Sequence, residues 1–120
     1  MKTGTLATVS VLAAALVVGA ASYIAVQTKQ HVVRLSVKRF EYSPNEIVLR
    51  KGVPVVIEVE SMDVVHGFNA PDLGVRTDVI PGKVARISVT PQKTGRFTFH
   101  CDVFCGTGHE DLSGTIVVKE

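Results

Sequence analysis

The stretch GRFTFHCDVFCGTGHEDLSGTIVV, residues 95–118, decides how this chain is read. Phe97 and Phe99 alternate with Arg96, Thr98 and His100, and Ile116 and Val118 repeat the pattern after an interruption. A period of two puts one strand face in a core and the other in water. Two strands therefore flank an irregular segment, residues 101–112, that carries two thiols and an imidazole within nine residues.

Outward from that segment the same period recurs. Val33, Leu35 and Val37 alternate with Arg34, Ser36 and Lys38, beginning at about His31. Val55, Ile57 and Val59 alternate with Val56, Glu58 and Glu60, and Ala85, Ile87 and Val89 with Arg86, Ser88 and Thr90. Turn formers separate the runs: Ser43-Pro44-Asn45, Lys51-Gly52, Pro71-Asp72, Pro81-Gly82 and Lys93-Thr94-Gly95. No stretch beyond residue 30 sustains a helical apolar period. The pattern predicts an all-β domain over residues 29–120, a Greek-key β-sandwich.

Residues 1–28 are different in kind. Of 13 basic and 11 acidic residues, all but Lys2 fall at Lys29 or later, and residues 5–26 read TLATVSVLAAALVVGAASYIAV. A run of about 20 apolar residues crosses a bilayer as a helix, so one N-terminal hydrophobic helix is expected as a membrane anchor. The alternative is a cleaved signal segment, with Lys2 as its positive end and Val18-Gly19-Ala20 as the cleavage site. Tyr23, Ile24 and Val26 continue the hydrophobicity past that site and favour retention. Lys29, Arg34, Lys38 and Arg39 outnumber Lys2 and argue for a cytoplasmic domain. The position of the run at the start of the chain outweighs them, and an extracytoplasmic domain on a short stalk, residues 27–30, is the expectation.

Composition removes several function classes. Residues 29–120 carry 12 basic against 11 acidic residues, and the chain has no Trp and two Tyr, a poor profile for tracking phosphates, so no nucleic-acid partner is expected. Two cysteines in 120 residues cannot staple a fold. No Ser/His/Asp arrangement or other nucleophile–base pair is evident, and no catalytic pocket is expected.

Thiolates and imidazoles together suit copper, zinc or iron rather than magnesium or calcium. Gly106 and Gly108 let the backbone bend so that His109 turns back toward Cys101 and Cys105. A fourth ligand must come from elsewhere, and His66 in Met62-Asp63-Val64-Val65-His66-Gly67-Phe68, where a strand pattern breaks off, is the candidate. The bland alternatives are buried cysteines, a Cys101–Cys105 disulfide and a core histidine. His100 and His31, the latter on the stalk, are expected to be bystanders.

Cys-x3-Cys-Gly-x-x-His with an upstream Asp-Val-x-His-Gly-Phe resembles the binuclear CuA domain of haem-copper oxidase subunit II and nitrous oxide reductase. The resemblance runs from about Phe40 to Val118 and implies the cupredoxin fold. It implies that Cys101 and Cys105 bridge two copper ions, that His66 and His109 each bind one, and that Val103 supplies a backbone carbonyl. Leu112 stands where the family has a weak methionine ligand and cannot coordinate, while Met62 offers a thioether elsewhere. The family also carries an upstream aromatic stretch that includes a tryptophan, and this chain has no Trp. The implied function is one-electron transfer, with a c-type cytochrome or an oxidase catalytic subunit as partner. The alternatives are copper storage or delivery, and a structural Cys2His2 zinc site. Residues 101–112 hold three acidic residues and no Lys or Arg, so the metal end is expected to attract a cationic partner.

Overall fold

The computed structural model describes residues 31–120. The expected hydrophobic helix in residues 1–28 lies outside them, and no helix among the described residues is long and apolar enough to cross a membrane. Among the described residues nine strands form: β1 His31–Lys38, β2 Glu41–Ser43, β3 Glu46–Arg50, β4 Val55–Ser61, β5 His66–Ala70, β6 Val75–Val79, β7 Ala85–Val89, β8 Gly95–His100 and β9 Ser113–Lys119. Single 3-10 turns cover Pro71–Leu73 and His109–Asp111. All the alternating runs fall in strands, and each turn cluster falls at or between strand ends.

The strands make two sheets, ordered β2-β1-β4-β7 and β3-β9-β8-β5-β6. Two pairings are parallel, β1 with β4 and β3 with β9. Such neighbours cannot be joined by a tight hairpin, so the chain crosses between sheets and brings distant segments to one end. His31, expected on the stalk, is instead the first residue of β1 and pairs with Val55.

The apolar faces meet in one core containing Leu35, Val37, Ile57, Val59, Phe68, Phe99, Ile116 and Val118. Strand β4 is central in its sheet and buries Val56 as well as Val55, Ile57 and Val59, so its alternation is less strict than the sequence suggests. Glu58 on its outer face is bracketed by Arg34 at 2.9 Å and Arg86 at 2.6 Å, a cross-strand ladder that follows the β1–β4–β7 register. The Arg86 hydrogen bond, with help from Arg34, holds the Glu58 carboxyl below its usual range.

Tyr42, Phe68 and Phe99 form an aromatic cluster toward one end of the core, with ring centroids 4.8 to 6.2 Å apart. Such pairs contribute about 0.5–1.5 kcal/mol each beyond the area they bury. Tyr42 Oη–H donates to the Gly67 carbonyl at 2.6 Å, which ties β2 of one sheet to β5 of the other beside His66. Burial, with Cys101, Asp102 and Cys105 nearby, pushes the phenol well above its ordinary value and keeps it a donor.

Candidate metal centre

The β8–β9 connection is pinned at its neck. Cys101 N–H donates to the Leu112 carbonyl at 3.1 Å, and Leu112 N–H to the His109 carbonyl at 3.2 Å, so the loop leaves and returns to the sheet as a closed lobe. The glycines have a second purpose beyond bending. Gly106 holds φ at +141°, and a Cβ there would lie 2.9 Å from the Phe40 ring; at Gly108 it would lie 2.7 Å away. Phe40 thus packs against the lobe at both positions, and glycine leaves room for its ring.

Inside the lobe Cys101 Sγ and Cys105 Sγ stand 3.8 Å apart, both buried and both free. A disulfide requires about 2.05 Å, so the bridged alternative is not the state described. Metal–sulfur bonds of about 2.3 Å set two sulfurs on one metal about 3.8 Å apart at a tetrahedral angle. His66, Cys101 and Cys105 present ligand atoms that all lie within 4.8 Å of one another, with His66 Nδ1 4.0 Å from Cys101 Sγ. His109 Nδ1 lies 3.6 Å from Cys105 Sγ, on the outer side of that trio. The Val103 carbonyl oxygen is 3.1 Å from Cys101 Sγ. The residues singled out from sequence therefore converge, and His66, expected where a strand pattern breaks off, opens β5 and is fully buried.

Leu112 is 1% exposed and belongs to the core cluster with the two cysteines, so hydrocarbon lines this side of the site. Met62 is 66% exposed, as solvent-facing as a side chain needs to be to argue against a ligand role. His100 is half-buried on β8 opposite Asn69.

Several residues that the sequence reading left without a role organise the site. Asp63 Oδ1 is 2.7 Å from His66 Nε2, and Arg39 N–H donates to Asp63 Oδ2 at 2.9 Å. With Nε2 donating to the carboxylate, Nδ1 is left bare toward the sulfurs. Burial works against the charge on Asp63, but the hydrogen bonds from Arg39, His66 and Val64 outweigh it and hold the carboxyl down to about 2. Arg39 Nε–H also donates to the Cys105 carbonyl at 2.7 Å, so one residue of the β1–β2 turn braces both halves of the site. Gly67 N–H donates to Cys101 Sγ at 3.3 Å. Asp102 is held by Arg76 through two hydrogen bonds of 2.7 and 2.9 Å, which lower its carboxyl below the usual range. That carboxylate fills the space a Cβ on Gly67 would need. The Asp63 and His66 pair carried a signal, a carboxylate three residues before a histidine at a strand start. Arg39, 66 residues from Cys105, carried none.

Burial pushes the Cys105 thiol up to about 11, reinforced by the hydrogen bond and proximity of Cys101. Two soft sulfurs and two imidazole nitrogens converge here with hydrogen-bonded support behind them, a donor set that fits copper.

A family described as Cupredoxin-like domain matches residues 7–118. Cytochrome c oxidase subunit 2 from Thermus thermophilus is 36% identical over 91 residues, which cover 76% of this chain and 67% of that protein. A second Thermus thermophilus protein of the same name is also 36% identical over 91 residues, and there the chain spans only 54% of its length. The periplasmic domain of subunit II of cytochrome oxidase of Bradyrhizobium japonicum has the same fold, with a TM-score of 0.70 at 24% identity over 79% of this chain and 88% of that one. On this sequence match and this architecture, the chain belongs to the cupredoxin-like domain family and is homologous to the CuA domains of cytochrome c oxidase subunit II.

Proposed function

We propose that this chain is an extracytoplasmic electron-transfer domain, anchored by its amino-terminal segment and carrying a binuclear copper centre. Cys101 and Cys105 would hold the metals between them, His66 and His109 would close the two sides, and the Val103 carbonyl would add a donor. The observation that carries the reading is the convergence of two free thiols at 3.8 Å with His66 Nδ1, in a chain 36% identical to an oxidase subunit II. When bound, copper held by Cys101, Cys105, His66 and His109 would supply one-electron redox chemistry.

The protein's own part is to hold the donors still. Asp63 fixes the His66 tautomer, Gly67 N–H donates to the Cys101 sulfur, and the Cys101–Leu112 hydrogen bond closes the lobe. A ligand set locked from both sheets changes little on oxidation or reduction, which favours fast transfer. Phe68, Phe99 and Leu112, all buried, keep water away from the inner side. On the outer side His109 is half-exposed and Phe104 is 78% exposed, with ring centroids 5.8 Å apart. That rim is the contact surface for a redox protein such as a c-type cytochrome or an oxidase catalytic subunit. Arg76 pairs with Asp102, so among the described residues Glu110 and Asp111 are the lobe's exposed unpaired negative charge, which would attract a cationic partner.

One observation favours a second reading. Leu112 places buried hydrocarbon where the CuA family has a methionine, which suits a protein that holds one copper loosely and delivers it. Metal analysis and visible absorption of the purified chain separate these readings. Two coppers per chain with intense thiolate bands and reversible reduction support electron transfer. One labile, weakly coloured Cu(I) that passes to an acceptor supports delivery, and one tight zinc with no colour overturns both.

A further inference from the structure

The end of the sandwich away from the metal lobe has the opposite character. Strand β9 starts at the lobe and runs away from it, and parallel β3 finishes beside it, so Arg50 pairs with Lys119. Lys51 N–H donates to the Lys119 carbonyl at 2.7 Å, and Gly52 N–H to the Pro91 carbonyl at 2.8 Å, which draws in the turn that carries Lys93. Arg50, Lys51, Lys93 and Lys119 are all exposed at this end; Asp72 and Glu120 are the acidic residues there. Among the basic residues lies a cavity of about 290 Å³ lined by His31, Val48, Arg50, Val53 and Lys119. Val48 is 52% and Val53 42% exposed.

We propose that this face docks on anionic phospholipid headgroups, with Val48 and Val53 dipping into the interface and Arg50, Lys51 and Lys119 binding phosphates. Two observations name a bilayer as the occupant. The first is charge complementarity, a basic rim around apolar side chains, which suits an anionic membrane surface. The second is chain reach. His31 lines the cavity, and the hydrophobic run, residues 5–26, ends only five residues earlier. Five extended residue steps span at most about 18 Å, so this face cannot stand far from wherever that run is embedded. Electrostatic attraction to lipid decays over about 8 Å at physiological ionic strength, within that tether. The proposal rests on the anchor reading of residues 5–26. Its consequence is orientation: β9, seven residues long, separates the faces by roughly 20 Å. His109 and Phe104 then face away from the lipid, which, of the two partners named above, selects the soluble c-type cytochrome over a membrane-embedded catalytic subunit.

The test is hydrogen–deuterium exchange on the full chain in nanodiscs, with phosphatidylglycerol or with phosphatidylcholine alone. Residues 48–55 and 118–120 should exchange several-fold more slowly in the anionic discs. The difference should vanish at high salt and in the Arg50→Glu, Lys51→Glu, Lys119→Glu variant. The salt arm does not depend on the variant folding. Equal exchange in both lipids, in a chain that stays in the discs, overturns docking and leaves the anchor standing. Equal protection in both lipids and in detergent assigns the face to the amino-terminal segment or a second copy, and also overturns it. If the chain washes out of the discs, the anchor reading fails. Docking is then judged by adsorption to phosphatidylglycerol vesicles: salt-sensitive binding lost in the variant supports it, and no binding overturns it.

Discussion

His66 and His109 present the same atom, Nδ1, to neighbouring sulfurs from opposite structural circumstances. His66 is fully buried at the head of a strand, with a carboxylate behind its ring and the paired sheet around it. His109 stands on a single 3-10 turn, half-exposed, with the Phe104 ring beside it and no side-chain hydrogen bond capping the turn. One imidazole is a fixed part of the core, and the other is a removable piece of the rim. A metal at this site would be held from within, and a partner would meet it from without.

The sharpest way to break that contrast is to remove each ring and offer imidazole in solution. His66→Gly should abolish copper binding, lower Tm, and stay unrescued, because solvent has no path to a buried slot and Asp63 loses its partner. His109→Gly should also lose the thiolate absorption but recover it with added imidazole, read in the same visible spectrum. Rescue of both, or of neither, erases the distinction.

Next in size, Asp63→Asn should weaken copper affinity by about 10–100-fold, the usual cost of losing a ligand histidine's hydrogen-bond partner. Glu110→Gln, beside His109, should leave affinity unchanged; competition with a chromophoric chelator measures both. Gly67→Ala probes the buried side by packing. The new methyl meets the Asp102 carboxylate, and overpacking of this kind costs about 1–3 kcal/mol in denaturant unfolding. The smallest effect is expected from Leu112→Met, which should keep copper stoichiometry and shift the reduction potential downward as a donor replaces hydrocarbon. A rise from one copper to two in that variant would instead favour the delivery reading.

Much of this was legible in the sequence. Alternation at Leu35/Val37, Ile57/Val59 and Phe97/Phe99 gave the strands and their buried faces, because the pleat forces a period of two. The Cys-x3-Cys-Gly-x-x-His spacing gave both thiols and one histidine, because a single loop carries them. Strands β2, β5 and β6 were less visible: three to five residues with Gly67, Asn69 or charged Arg76 and Asp78 carry too little periodicity.

What the sequence determined by itself was therefore local: which residues alternate, which turns break the runs, and which chemical groups share the metal lobe. The tertiary structure alone decided that Arg39 braces Asp63 and Cys105, that Phe40 lies on the lobe, and that Arg76 locks Asp102 over Gly67. It also decided that the two histidines differ in burial. These contacts join residues 24 to 68 positions apart through parallel crossovers between sheets. Such pairings leave no mark in local composition, since they depend on register and packing rather than on neighbours in the chain.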